Sequence, residues 1–542
     1  MKFHSLHVLR TGTIAATMLM GTALGGAIAA PLTIGVQTET TAVDPHNYVG
    51  GGDNQVRMHV FDAIVAMNAS QKIEPALAES WTLADDGVTW TFKLREGVKF
   101  HDGTPFTAND FVYTICRIRN FKEASSSFSR YTGAIKNIEA PDNGTVVITT
   151  NSPYPALLNE LSALAVISAK AAGQTETVAY DDKTCGIDKW PDAPSFNSGK
   201  MAIGTGPYKF VEFKPGTHLR LDRNDDYWAG APTWESVTIR PIPNSAARVA
   251  SLLAGDVDLI DSPPPQDVER LRSGGEVEIT SGPAQTLIYL QFQHTNEPAA
   301  GVTGTDGRNP FRDQRVRQAF SKAIDRQAIV DKILQGQAQI ATNVMGPDYL
   351  GHNPNIKPEE YDPEGAKQLL AEAGYPDGFG IVMGATNDRY NSDARIAQAI
   401  AQMLSRIGIK VEMEVTPYAV FIKKWQASEF PFFQTGLAVS SVDMAQTLRA
   451  LVGTKGKAPG FGVVNYGNHS SERLDSLILK AVGEVDEAKR DALLQEANAA
   501  AVSSYAIIPL LHPMNIWAHS KKIALTSRND NATLAMSARP AN

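Results

Sequence analysis

From Trp90 to Leu94 apolar and polar residues alternate strictly, Trp90, Phe92 and Leu94 facing one way and Thr91 and Lys93 the other, which predicts a half-buried strand. Asp85-Asp86-Gly87 precedes it as a tight turn, because glycine accepts positive φ cheaply. A second turn at His101-Asp102-Gly103, its His and Asp read as solvated, leads to Thr107, which caps a helix together with Asp110 three residues on. That helix is predicted from about Asn109 into Arg117. Leu32-Thr-Ile-Gly-Val reads as the first buried strand. Much later, Ile288, Leu290 and Phe292 alternate with Tyr289, Gln291 and Gln293, a strand expected to pass between two lobes, with the return passage near Tyr505 to Leu511. One helix is predicted over Arg315–Leu334. Ile381-Val-Met-Gly, a helix over Ala394–Ile407 and a strand over Ile409–Val415 form a strand-helix-strand crossover. Helices and strands alternate throughout with Pro and Gly at the joints, which predicts a mixed α/β fold.

The N-terminus changes the picture from fold to address. Lys2 and Arg10 flank a polar start, an apolar run follows from about Thr13 to Leu24, and Ala27-Ile28-Ala29 supplies small residues for a signal peptidase, so residues 1–29 are expected to be a cleaved export leader. The run is Gly-rich and shorter than the roughly 20 apolar residues a membrane span needs. No Cys stands at the cleavage region for a lipid anchor, which points to a protein diffusing in a periplasm. The 50 basic and 58 acidic side chains give a formal charge of −8, and loss of Lys2 and Arg10 takes it to −10, which disfavours nucleic acid as a partner. At 542 residues the chain exceeds one hydrophobic core, so at least two lobes are expected. Its two cysteines, Cys116 and Cys185, are either an exported disulfide or two free thiols, one of them buried.

The segment Leu77–Thr114, with Gly204-Thr-Gly-Pro-Tyr-Lys-Phe, Arg223-Asn-Asp-Asp-Tyr-Trp, the run from Phe311 to Arg326, Tyr361-Asp-Pro-Glu, Ala373-Gly-Tyr-Pro-Asp-Gly and Ile407-Gly-Ile-Lys-Val-Glu, resembles the family 5 extracytoplasmic solute-binding proteins. These are the receptors of peptide, nickel and opine ABC importers. The resemblance implies a two-lobed periplasmic binding protein of type II, cluster C-like, with an extra subdomain inserted in the first lobe. Residues 30–285 and 510–542 would form lobe 1, the insertion spanning about 74–188, and residues 286–509 lobe 2. It further implies a monomer without cofactor that takes a small-molecule or peptide ligand, hands it to an ABC permease with ATPase subunits, and meets the membrane only through that permease.

Candidate binding residues follow from placement and from the family. In open α/β sheets ligands bind beyond the carboxyl ends of strands, and the loop after Ile381–Gly384 carries Asn387, Arg389 and Tyr390: an amide, a planar cation and a stacking ring with a polar tip. The competing reading has Asp388 and Asn391 capping the helix and Arg389 solvated. Thr38, Glu39 and Thr40, after the first strand, face the cleft in relatives, although Asp44-Pro45 there reads as a turn. Gln291 and Gln293 on the lobe-crossing strand complete the polar set with Ser440 and Asp443. In peptide-binding relatives a pattern like GWxADYxDP holds the ligand ammonium through its first Asp. This chain has Ser440 there and Leu437 at the usual Trp, with Asp443 at the second Asp. A hydroxyl cannot replace a desolvated carboxylate facing an ammonium, so an anionic, opine-like or modified amino-acid conjugate is expected over a plain dipeptide.

Enzyme chemistry lacks its constellations. There is no G-x-S-x-G, H-E-x-x-H, P-loop or G-x-G-x-x-G, and the eleven His form no spaced metal-ligand cluster. A hydrolase with a triad assembled from distant residues, and a periplasmic chaperone or sensor, stand as the alternatives to transport.

Overall fold

The computed structural model describes residues 1, 30–47, 51–121, 128–181, 183–297, 299–438 and 444–541. The leader, Ser440 and Asp443 lie outside the described residues. Strand β1 (Pro31–Val36) is followed by helix α1 (Gly51–Val60) and then by a four-stranded antiparallel sheet built from β2 (Ala78–Leu83), β3 (Thr89–Leu94), β4 (Ile135–Asp142) and β5 (Thr145–Thr150), in the order β2-β3-β5-β4. The alternation in β3 buries Trp90, Phe92 and Leu94 at 6%, 0% and 2% exposure against helix α2 (Ala108–Asn120). Asp110 Oδ2 accepts the Thr107 N–H at 2.9 Å, and the reciprocal capping box starts the helix where the spacing predicted. Contrary to the solvated reading, His101 is mostly enclosed: its Nε2 bonds the Gly206 carbonyl at 2.9 Å and its Nδ1 accepts the Gly204 N–H at 3.3 Å. The turn it occupies folds back onto the Gly204-Thr-Gly206 segment, where a Cβ on Gly204 would lie 1.9 Å from the Val60 carbonyl oxygen. Only glycine permits that approach.

Cys116 on α2 is bonded to Cys185, with Cα atoms 6.0 Å apart at a sequence separation of 69. Closing a loop of that length in the unfolded chain is worth about 4 kcal/mol in the chain-entropy model. Cys185→Ser is therefore expected to lower the urea midpoint by that free energy, and the unfolded, non-reduced wild type to resist thiol labelling. Two labelled thiols would dismiss the bridge.

Past the insertion, β6 (Tyr208–Lys214), β7 (His218–Arg223) and β8 (Ser236–Pro241) return the chain to β1, which pairs in parallel with β8 and with β9 (Leu259–Asp261). Helices α3 (Ser245–Ala254) and α4 (Pro265–Gly274) follow β8 and β9, and β10 (Val277–Pro283) closes this lobe. The second lobe starts with β11 (Thr286–Phe292) and α5 (Gln314–Lys322). The single helix predicted over Arg315–Leu334 is broken. Asp325 leaves helical geometry and accepts the Ala328 N–H at 2.8 Å, so a new turn starts, followed by a π-helical stretch at Ile329–Ile333. The break lets buried Arg326 donate to the Pro509 carbonyl at 3.2 Å and to Ser321 Oγ at 2.8 Å, bonds an unbroken apolar helix would not have needed.

Strand β12 (Gly380–Thr386), helix α6 (Asp393–Ser405) and the parallel strand β13 (Lys410–Thr416) realise the predicted crossover. After β14 (Phe432–Ala438) and α7 (Met444–Leu451), β15 (Ile508–Ser520) joins both halves into one 13-stranded sheet. Its first residues pair with β11 and its last seven with β10, so the lobes meet at Pro283–Thr286 and at Leu511–Met514. β15 runs through this boundary without ending, its burial relaxing only at His512, Pro513 and Met514 between the buried stretches 508–511 and 515–519. Separate apolar cores fill the two sides.

Candidate functional site

The loop between β12 and α6 is held by one buried carboxylate. Asp393 Oδ2 accepts Thr386 Oγ1 at 2.6 Å and the Arg389 N–H at 3.1 Å, and its Oδ1 accepts the Ala394 N–H at 2.8 Å. Asp388 instead receives the Tyr418 N–H at 2.8 Å, so neither Asp388 nor Asn391 is the cap that the competing reading supposed. Arg389 is not loose in solvent. Its guanidinium carbon stands 3.6 Å over the Tyr418 ring centroid, and its Nε donates to Tyr390 Oη at 2.5 Å, whose own hydroxyl donates to the Gly436 carbonyl at 2.7 Å. Two rings and a backbone carbonyl thus fix one planar cation, with Tyr418 adding a hydrogen bond to its ring contact. A Cβ at Gly436 would lie 2.4 Å from Tyr390 Cζ, which explains the glycine.

Beside this clamp, Tyr289 of β11 stands opposite Thr435 of β14, and the hydroxyls of both, fully buried, have no hydrogen-bond partner among the described residues. Burial and the neighbouring Tyr390 push the Tyr289 phenol far above its ordinary range, so it is a neutral donor at any physiological pH. Buried polar atoms without partners are uncommon and ask for a ligand or water. On the first lobe Thr38 and Glu39 are exposed, Thr40 is buried, and the Asp53 carboxylate holds the loop through the Thr41 and Ala42 N–H groups at 2.5 and 3.0 Å. Asn387 is exposed beside Arg389.

Gln291 and Gln293 do not join these residues. Both are buried at 0% and 1% exposure; Gln291 Nε2 reaches toward the Leu451 carbonyl and Asn465 at 3.5 and 3.4 Å, and Gln293 Oε1 accepts the Thr295 N–H at 2.7 Å. Their hydrogen bonds are internal to the second lobe, while Gln291 Oε1 and Gln293 Nε2, like the Tyr289 hydroxyl, are buried without a partner among the described residues.

Between the lobes lies a polar cavity of about 330 Å³, its walls formed by Gln37, Ser245, Arg248 and Ser262 from the first lobe and by Asn391 and Arg395 from the second. Arg248, Arg395, Tyr289 and Tyr418 escaped the reading of the sequence. One signal was available: Arg395 is a cation in the first turn of α6, against the helix dipole. At the other end of the cleft Gln446 Nε2 on α7 donates to Tyr154 Oη of the inserted subdomain at 2.9 Å, and Tyr154 bonds Glu160 at 2.7 Å. No group of three or more His, Cys, Asp or Glu able to hold a metal, and no helix long and apolar enough to cross a membrane, occurs among the described residues.

Two α/β lobes sharing one sheet across two crossings, with strand ends and helix starts facing a polar cleft, define a type II periplasmic binding protein. The family described as "Bacterial extracellular solute-binding proteins, family 5 Middle" matches residues 72–459, and the chain belongs to that family. Its members are binding proteins and not enzymes. Heme-binding protein A of Haemophilus influenzae is 28% identical over 497 residues, covering 88% of this chain and 85% of its own. Glutathione-binding protein GsiB of Escherichia coli strain K12 is 27% identical over 95% of this chain and 96% of its own. Among solved structures, the ABC transporter-associated periplasmic binding protein DppA of Helicobacter pylori, in complex with the peptide STSA, superposes with a TM-score of 0.75 at 25% identity, over 95% of this chain and 98% of that one.

Proposed function

We propose that this protein is exported by its leader, cleaved after Ala29, and captures a carboxylate-bearing peptide or amino-acid conjugate in the periplasm for an ABC permease driven by ATPase subunits. The observation that carries the ligand reading is the clamp on Arg389: a guanidinium fixed by Tyr418 and Tyr390 at the end of β12 and the start of α6 is organised for an anion before one arrives. Asn387 and Tyr390 lie beside it, and Thr38 and Glu39 offer polar contacts from the first lobe. Ser440, in place of the carboxylate that peptide-binding relatives direct at an ammonium, argues against a free terminal amine as the main anchor, with Asp443 the nearest acidic residue along the chain. Relatives named for glutathione and for a peptide complex support the ligand class. Each lobe gives part of the binding surface, so a ligand stabilises the closed form by its differential affinity, and the monomer closed on its ligand is what the permease meets.

Thermal-shift screening of the mature protein against glutathione, opines and short peptides identifies the ligand, since binding to the native state raises its stability. Calorimetry with that ligand then tests the site. Arg389→Ala is expected to lose about 2 kcal/mol or more of binding, roughly 30-fold, whereas Ser440→Ala loses less. Unchanged affinity in Arg389→Ala removes the anion site.

A further inference from the structure

The cavity between the lobes is lined by Asn391, Ser392 and Arg395 at the α6 start, does not include Arg389 in its lining, and differs from the Arg389 clamp in kind. Among its lining residues there is no Asp or Glu, but there are two arginines. Arg248 is buried at 1% exposure with its donors turned onto backbone carbonyls, those of Ile242 at 2.6 Å, Asp261 at 2.9 Å and Ser262 at 2.7 Å, so it contributes charge to the wall and no free donor. The Asp261 carboxylate accepts the Gln37 N–H at 2.8 Å and stands 3.5 Å from Arg248. Arg395 is the opposite case: it is exposed, makes no ion pair with any described residue, and projects from the first turn of a 13-residue helix, where a cation opposes the dipole. Helix stability does not account for a cation at that position; an anion in the cavity does. The starts of α3 and α4, through Ser245, Pro265 and Gln266, reach the same space and add to its positive potential. Gln37, which leads directly into Thr38 and Glu39, joins the cavity to the first-lobe loop.

We propose that this cavity is a second anion subsite with Arg395 as its cation, and that the ligand therefore carries two separate acidic groups: an acidic peptide or a dicarboxylic amino-acid conjugate. The inference rests on Arg389 holding the first acidic group. The volume, about 330 Å³, lies within the range of small-molecule sites, at its lower end. A planar guanidinium at its wall receives a carboxylate through two parallel hydrogen bonds.

The test uses crystals of the full mature protein soaked in selenate, whose selenium gives an anomalous signal, for the wild type, Arg395→Gln and Arg389→Ala. Two selenate peaks are expected in the wild type, one within hydrogen-bond distance of each arginine. Arg395→Gln is expected to lose the cavity peak and keep the other, and Arg389→Ala the reverse. Equal melting temperatures for the three proteins confirm that each is folded. A wild type without a cavity peak, or a cavity peak that survives in Arg395→Gln, overturns the second subsite. A cavity peak without one at Arg389 overturns the function proposed for Arg389, and with it the two-acid ligand, while the cavity remains an anion site.

Discussion

Asp44→Ala is expected to destabilise the protein by about 3–5 kcal/mol, the cost of leaving a buried cation without its partner. The Arg117 and Asp44 side chains are both 0% exposed and paired twice, Nη1 to Oδ1 at 2.9 Å and Nη2 to Oδ2 at 2.6 Å. Nε and Nη2 of Arg117 also reach the Pro191 carbonyl at 3.2 and 2.8 Å, Nη1 reaches His46 Nδ1 at 2.8 Å, and the guanidinium carbon lies 4.3 Å from the Phe121 ring centroid. This one pair ties the loop after β1 to α2 of the inserted subdomain, next to the Cys116–Cys185 bridge. The double variant Asp44→Ala with Arg117→Leu should recover part of the loss, because it removes the orphaned charge as well as the pair. Urea unfolding midpoints measure both effects. A loss below about 1 kcal/mol in Asp44→Ala would show that the guanidinium finds water or another acceptor.

Acid is expected to destabilise the protein from about pH 6.5 downward, through histidines held neutral. His46 Nδ1 accepts from Arg117 Nη1 at 2.8 Å while its Nε2 donates to the Ala165 carbonyl; His59 Nε2 accepts the Ala535 N–H at 3.0 Å while its Nδ1 donates to the Gln55 carbonyl. Each ring therefore has one donor and one acceptor nitrogen, and a second proton would break a bond. Burial, reinforced for His46 by the Arg117 charge, lowers His46 to about 3, and burial lowers His59 to about 4. The unfolded chain takes up these protons below about pH 6.5 and the folded protein refuses them, so their contribution is complete above pH 6.5 and is lost as the pH falls toward 4. At about 1.4 kcal/mol per unit, each is worth on the order of 3 kcal/mol by pH 4. His101 and His469, also pushed to about 4 by burial, act in the same direction. Asp261, raised to about 6 by burial against the pull of Arg248, acts in the opposite one, since the folded state takes up its proton first. Unfolding measured between pH 7.5 and 4 should show a net proton uptake of about two or more in the acidic half and almost none at the top. A pH-independent midpoint over that range would mean the rings are protonated in place.

Local rules carried much of this fold from the sequence. The alternation at Trp90, Phe92 and Leu94, the Thr107 and Asp110 capping box and the strand-helix-strand unit from Ile381 to Val415 depend on neighbours within a few residues, and each formed where its pattern stood. The family strings likewise identified the architecture, because they encode turns, caps and close approaches such as Gly204 and Gly206 against Val60. What tertiary structure alone decided is everything set by pairs distant in the chain. The helix from Arg315 broke at Asp325 because Arg326 has a partner in β15, some 180 residues later. The polar alternation of Gln291 and Gln293 marks a face of the strand, but period two does not say what covers that face; only the tertiary structure does, packing apolar residues of β11 into two separate cores. Arg389 was legible as a cation at a strand end; its fixation by Tyr418 was not, since nothing in the spacing of Arg389 and Tyr418 says that β13 and the helix after it return the ring to 3.6 Å. The cavity holding Arg395 is farther still from any local rule: Gln37, Arg248, Ser262 and Arg395 meet only because two lobes built from separate apolar cores are brought face to face by β15.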